Sequence, residues 1–214
     1  MAHEPTVFVV DDDPSLRTAV ARLIGSVGLP CRTFGSADDF LTSIDVTQPG
    51  CVVLDVRMPG ASGLDLQDQL AAGGYTLPVI FVSAHADVAL TVRVMRKGAL
   101  QVFTKPFDDQ ALLDAIHEAL QIDRQRRVDE LETRELQDRF ATLTVREREV
   151  MRLVVTGMMN REIATELGTT EKTVKAHRGQ VVHKMRAQSV PDLVRMADRL
   201  QRHASAIGPK SNTM

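Results

Sequence analysis

The chain has 214 residues, 43% of them hydrophobic and 25% charged, with a formal net charge of −2. This is the balance of a folded, water-exposed protein, and no run of about 18 apolar residues occurs that would form a membrane-spanning helix. The start MAHEPTVFVV lacks the basic stretch and cleavage site of an export signal, so a cytoplasmic protein without membrane contact is expected. Cys31 and Cys51 both lie in apolar runs and read as reduced, buried side chains rather than a disulfide or metal pair. The six histidines show no paired ligand spacing, which argues against zinc. The small net charge conceals a division: residues 1–121 carry −7, residues 122–139 carry −1 and residues 140–214 carry +6. An acidic front and a basic back point to two domains with different partners.

In chain order, the first 120 residues alternate between short β-rich runs and helical patterns. The runs at 7–10, 31–34, 51–54, 79–82 and 101–104 predict five strands, of which the third and fourth are apolar throughout, as in a parallel sheet covered on both faces. Leu16, Val20, Leu23 and Ile24 recur at helical spacing behind Asp13-Pro14, a suitable helix opening. Leu64, Leu66 and Leu70 mark a second helix, and 88–95 a third. Together these predict a doubly wound α/β domain over residues 1–121, whose ligand site lies beyond the carboxyl ends of the strands.

A last helix of that domain opens near Asp108 and continues through 122–140, a stretch without Gly or Pro and dense in opposite charges. The pairs Glu130/Arg134 and Glu135/Arg139 have the favourable i,i+4 order, which predicts a solvated helical linker. A short coiled-coil seam is the alternative, but Leu131 and Leu136 alone do not sustain heptads. Residues 141–204 predict an all-α domain of four helices. Thr144 and Glu147 form a capping box, Gly157 ends the first helix, Asn160 caps the second, Thr170 caps the third, and Ser189 begins a fourth that fades near Arg202. The tail 205–214 is expected to be disordered.

Three predicted strands run into chemistry-bearing residues: the first into Asp11, Asp12 and Asp13, the third into Asp55, the fifth into Lys105-Pro106. Acids at strand ends are commonly just solvated, but strand ends on one sheet edge converge. Clustered carboxylates repel unless a cation joins them, and oxygen donors with water suit Mg²⁺. A nearby lysine would balance a phosphoryl group. The blocks FVVDDDPSLR, VVLDVRMPGASG, VIFVSAH and FTKPF resemble, in order and spacing, the signatures of response-regulator receiver domains, over residues 5 to about 120. The resemblance implies a flavodoxin-like sheet, Asp55 as phosphoryl acceptor from a histidine kinase, and Mg²⁺ held by Asp11, Asp12, Asp55 and the backbone carbonyl of Arg57. It further implies that Ser83 and Lys105 contact the phosphoryl group, that Lys105-Pro106 is cis, and that Ser83 and Phe103 form the switch. Arg57 and His85, each two residues beyond a site residue, are candidates for controlling the access of hydrolytic water.

Further along, the turn at 168–170 joins two helices with helix-turn-helix spacing. On the second of these, a 100° step puts Val174, Val181 and Met185 on one face and Lys172, Lys175, Ala176, Gly179 and His183 on the other. Basic and small residues on an outward face allow close approach to DNA. LTVREREV, NREIATELG and TVKAHRGQVVHKM resemble the LuxR-type domain of the NarL/FixJ group. That resemblance implies DNA contacts by Thr169, Thr170, Lys172, Thr173, Lys175, His177 and Arg178. The sequence departs from the usual pattern at Met159 and at Gly179, where a base contact is in doubt.

The expectation is therefore a non-enzymatic transcription regulator, phosphorylated on Asp55, dimerising on promoter DNA and open to contact with RNA polymerase. One alternative is a DNA-binding regulator that needs no phosphate. The other is a phosphohydrolase with an aspartyl-phosphate intermediate, against which Arg57 stands where a general acid is required.

Overall fold

The computed structural model describes residues 4–45, 47–84 and 87–207. The chain divides into two compact units, residues 1–127 and 128–214. In the first, strands β1 (Thr6–Val10), β2 (Cys31–Phe34), β3 (Gly50–Asp55), β4 (Val79–Ser83) and β5 (Gln101–Thr104) form a parallel sheet in the order β2-β1-β3-β4-β5. The central strands β1, β3 and β4 are buried at every position, because helices cover both faces. Alternate residues go to opposite cores. Phe8, Val10, Val52, Leu54 and Phe81 pack with Phe40, Leu66 and Val94. Val7, Val9, Val53, Ile80 and Val82 pack with Val20, Ile24, Leu112 and Ile116.

The helices of this unit are α1 (Pro14–Ser26), α2 (Ala37–Ser43), α3 (Gly63–Ala72), α4 (Val88–Arg96) and the first part of α5 (Asp109–Ala141). Asp13 caps α1, its side chain accepting from the N–H groups of Ser15 and Leu16, and Ser62 and Asp65 form a capping box on α3. Helix α2 leaves no periodic trace in the sequence; it is two turns long, capped by Ser36, and anchored by Ala37 and Phe40. Helix α4 buries only Val94 among its nine residues, leaving Val88, Val92 and Met95 exposed. Cys51 is buried as expected, whereas Cys31 on edge strand β2 is only half-buried. Both thiols are held in the protonated form by burial, Cys31 pushed up to about 11. They flank Val7 from opposite sides, two strand spacings or about 10 Å apart, beyond the reach of a disulfide.

The stretch 122–140 is helical as expected and largely exposed, but it is not solvated throughout. Helix α5 is continuous for 33 residues, and its charged stretch is divided between the two units. Asp123 is buried: its carboxylate accepts from the Gly50 N–H at 3.0 Å and from Arg127 Nε at 2.8 Å, and it also pairs with Arg126. Arg127 in turn donates to the carbonyls of Thr47 and Gln48. Beyond the division, Thr133 and Leu136 are buried, and Arg199 binds this stretch through Thr133 Oγ1, Glu132 and the Asp129 carbonyl, at 2.7–2.9 Å. Charge density marks solvation only where no partner segment arrives. Leu131 stays exposed and Glu135 pairs with Arg139.

The second unit contains α6 (Val145–Val155), α7 (Asn160–Glu166), α8 (Glu171–Met185) and α9 (Val190–Ile207) around a core of Leu136, Val150, Val154, Ile163, Val174, Val181, Met185 and Leu193. Thr144 and Glu147 form the expected capping box on α6, and Gly157 ends its turn at φ 91°. Met159, not Asn160, occupies the cap position of α7, its N–H bonded to the Glu162 carboxylate at 2.7 Å. Asn160 is already inside the helix, and its side chain is used elsewhere. Thr170 caps α8, accepting from Thr173 N–H. Helix α9 extends to Ile207, past the expected boundary at 204; residues 208–214 of the expected tail lie outside the described residues. No helix is long and apolar enough to cross a membrane among the described residues.

Two stability predictions follow from these ties. Asp123→Ala leaves the Gly50 N–H and a guanidinium without their buried partner, and should cost the first unit about 2–3 kcal/mol. Tyr75, the chain's one tyrosine with no tryptophan present, reports this in a urea titration, and an unchanged midpoint would refute it. Glu147 is held below the ordinary glutamate range by its hydrogen bond to Lys184 Nζ at 2.7 Å and by the Thr144 N–H. Its folded pKa is depressed, so its contribution is complete above the ordinary value of 4.5 and is lost as pH falls through the depressed one. Glu147→Gln should therefore lower stability by about 1 kcal/mol at neutral pH, with the gap to wild type closing in acid, as measured by thermal circular dichroism at both pH values.

Candidate functional site

The sheet brings the ends of β1, β3 and β5 to one edge. Asp11 follows β1, Asp55 closes β3, and Lys105 follows β5. Asp11 and Asp55 are buried, at 1% and 6% exposure, while Asp12 is exposed. Ligand oxygens of the three aspartates lie within 4.8 Å of one another. Lys105 Nζ bridges the buried pair, 2.7 Å from Asp11 Oδ2 and 2.6 Å from Asp55 Oδ2. The opposite oxygens are held by the backbone: Asp11 Oδ1 accepts from Asp13 N–H at 2.9 Å, and Asp55 Oδ1 from Arg57 N–H at 3.0 Å.

The electrostatics follow from that crowding. Burial raises the Asp11 pKa, with the charge of Asp55 adding to it, more than the bonds from Lys105 and Asp13 lower it. For Lys105, burial acts to lower the pKa, but its hydrogen bonds to Asp11 and Asp55 outweigh this and the value is raised. Two buried carboxylates share one ammonium, with a third carboxylate at the rim. An all-oxygen, carboxylate-rich donor set of this kind fits a hard divalent cation such as Mg²⁺.

The remaining predicted residues surround this centre. Ser83 is buried at the end of β4, and its carbonyl accepts from Lys105 N–H at 2.8 Å, joining β4 to the lysine. The Lys105-Pro106 peptide is cis. Phe103 is half-buried and meets Phe107 edge to face with ring centroids 6.3 Å apart. The Arg57 side chain is exposed; His85 lies outside the described residues. Gly63 was not picked out from the sequence. A Cβ there would stand 2.1 Å from the Asp55 carbonyl oxygen, so α3 can start beneath Asp55 only on a glycine.

On the basic unit, α7 and α8 are joined through Gly168, at φ 60°. Val174, Val181 and Met185 of α8 are fully buried. Lys172, Lys175, Ala176, Gly179 and His183 are exposed, as the 100° step requires, together with Thr170. Thr169, Thr173, His177 and Arg178 are half-buried. Arg178 differs from the lysines: its Nη1 donates to Asn160 Oδ1 at 2.8 Å, across to the start of α7. The sequence pattern suggested a cap for Asn160, because a cap and an interhelical partner call for the same small polar side chain.

With the acidic edge and the two-helix face placed, comparison with known proteins decides the family. Residues 7–117 match the response regulator receiver domain, and residues 141–197 match the bacterial regulatory proteins of the luxR family. The chain belongs to the two-component response regulators with a LuxR-type DNA-binding domain. Among relatives of this response regulator, Nodulation protein W of Bradyrhizobium diazoefficiens is 48% identical over 194 residues, covering 91% of this chain and 86% of that one. The transcriptional regulatory protein FixJ of Azorhizobium caulinodans is 41% identical, covering 92% and 93%. The solved structure of the response regulator StyR matches with 44% identity and a TM-score of 0.81, over 92% of this chain and 99% of that one. The protein is thus a transcriptional regulator; its receiver implies a histidine kinase partner, and its LuxR-type domain implies binding to DNA.

The bond between Arg178 and Asn160 gives a direct check on the helix-turn-helix. Asn160→Ala should lower the thermal stability of the regulator by about 1 kcal/mol, while Asn160→Asp retains most of it. Equal melting of all three proteins would show that the bond contributes nothing.

Proposed function

We propose that Asp55 accepts a phosphoryl group from a histidine kinase, and that this modification promotes dimerisation and promoter binding. The observation that carries the reading is a buried Asp55 carboxylate in contact with Lys105, within 4.8 Å of two further acids. Asp11, Asp12 and Asp55, with the Arg57 carbonyl, would hold Mg²⁺. When bound, the ion supplies charge neutralisation for the oxygens of the transferred group.

The chain's own residues do the rest. An Asp55 oxygen attacks phosphorus in line, the new O–P bond replacing the N–P bond of a phosphohistidine, whose imidazole leaves. Lys105 begins on Asp55 Oδ2 and passes to a phosphoryl oxygen, retaining Asp11. The modification adds about one to two negative charges in a space where a single ammonium already serves two buried carboxylates. Ser83, joined to Lys105 through the backbone, moves to a phosphoryl oxygen, and Phe103 turns into the space beside it. This is a local charge event that biases a two-state surface. Arg57, exposed beside the acceptor, controls the access of hydrolytic water.

On the second unit, Lys172, Lys175, Thr169, Thr170, Thr173 and His177 face DNA, with phosphates and guanine edges as partners for the lysines. Arg178 reaches DNA from its seat on Asn160. A dimer suits a two-fold site, and contact with RNA polymerase and a cytoplasmic location accord with the same role. A phosphohydrolase is disfavoured by the exposed, cationic Arg57, which cannot protonate a leaving group. A phosphate-independent regulator remains the competing outcome of the experiment.

That experiment adds Mg²⁺ and acetyl phosphate to wild type and to Asp55→Asn. Wild type should gain a covalent label and bind promoter DNA more tightly, and Asp55→Asn should do neither. Labelling of Asp55→Asn would refute the acceptor, and labelled wild type with unchanged DNA affinity would favour a phosphate-independent regulator.

A further inference from the structure

We propose that Arg17 is a positioning residue for the acidic cluster, acting through the backbone of Asp11 to hold Asp12 where it shares a divalent cation. This rests on the reading of the cluster as a Mg²⁺ site and names a residue that serves it from outside.

Arg17 stands on α1, half-buried, and its Nη1 donates to the Asp11 carbonyl at 2.5 Å. The guanidinium lies along Gly35, at the end of β2. A Cβ at Gly35 would stand 3.5 Å from Nη1 and 3.7 Å from both Cζ and Nη2. A β-carbon alone would therefore just touch the guanidinium, and a larger side chain would displace it. The outer side of this seat is a groove lined by Pro14, Thr18, Ala21, Arg22 and Thr33. A planar, permanently charged guanidinium can lie flat against the backbone at Gly35 and still donate to the Asp11 carbonyl.

Asp11 itself does not need Arg17. Its N–H is bonded to the Phe34 carbonyl at 3.2 Å, and its two carboxylate oxygens to Asp13 N–H and Lys105. What Arg17 fixes is the peptide that joins Asp11 to Asp12. That peptide is planar, so gripping its oxygen sets the plane from which Asp12 departs. Asp12 is the exposed member of the cluster, and no hydrogen bond or ion pair holds its side chain among the described residues. Its placement beside Asp11 and Asp55 is therefore inherited from the backbone, and the far end of that inheritance is Arg17.

The sign of the effect separates positioning from charge. Removing a positive charge near three carboxylates would by itself tighten cation binding. Removing a positioning bond weakens it, typically 10- to 100-fold for outer partners of a metal site, or about tenfold at the lower end. The test uses the full chain, without phosphodonor. Mg²⁺ affinity is measured by calorimetry, and the Asp12 amide resonance is recorded in metal-free protein, for wild type, Arg17→Ala, Arg17→Lys and Arg22→Ala. Arg17→Ala should raise the Mg²⁺ Kd about tenfold and shift the Asp12 amide before any metal is added. Arg17→Lys should recover part of both, and Arg22→Ala, an equal charge change in the same groove, should not raise the Kd and should leave the Asp12 amide in place. An unchanged or lowered Kd with an unmoved Asp12 amide in Arg17→Ala overturns the proposal, even if the protein melts earlier. Wild type that fails to bind Mg²⁺ overturns the metal reading instead, and the metal-free Asp12 amide then still decides whether Arg17 positions that residue.

Discussion

Everything at the acidic edge depends on one ammonium group shared by two buried carboxylates. Asp11 and Asp55 end adjacent strands, and a parallel sheet leaves them no choice but to lie side by side. Without a cation they would repel in a medium that screens poorly. Lys105 supplies that cation from β5, and its backbone N–H is bonded to Ser83, so three loops meet on one residue. Any anion added to Asp55 must compete with a carboxylate for the same lysine.

The two units are each tied to helix α5 by a different kind of contact. On the receiver side, Asp123 and Arg127 close the start of β3 with charged hydrogen bonds. On the other side, Leu136 enters the helical core and Arg199 grips the backbone and side chains of residues 129–133. The charged stretch of α5 still finds buried partners, because ions can be satisfied one at a time where an apolar stripe needs a continuous surface.

The DNA-binding unit shows the same economy of polar groups. Glu147 caps α6 and also holds Lys184 of α8, tying the two helices together. Asn160 holds Arg178 from the side. Among the basic residues of α8, Lys172 and Lys175 consequently face solvent, whereas Arg178 and Lys184 are already committed within the protein.

The fold class was legible in the amino-acid order because it follows from period. Apolar runs such as Val52–Leu54 and Ile80–Val82 mark strands covered on both faces, and Asp13-Pro14 and Thr144 mark helix starts by local chemistry. The acidic residues were legible for a related reason, since a strand's end fixes the sheet edge its next residue occupies. Helix α2 was not, because Phe40 alone makes no stripe, and neither was the burial of Asp123, because a lone acid in a charged run carries no sign of a partner 73 residues away. Arg17 on the Asp11 carbonyl, Gly63 beneath Asp55 and Asn160 on Arg178 belong to the same class. The sequence by itself determined the two domains, their strands and the set of acids, since each rests on spacing along the chain. Tertiary structure alone decided which polar side chains hold those acids in place, because a hydrogen bond between distant elements depends on how they pack and leaves no local pattern to read.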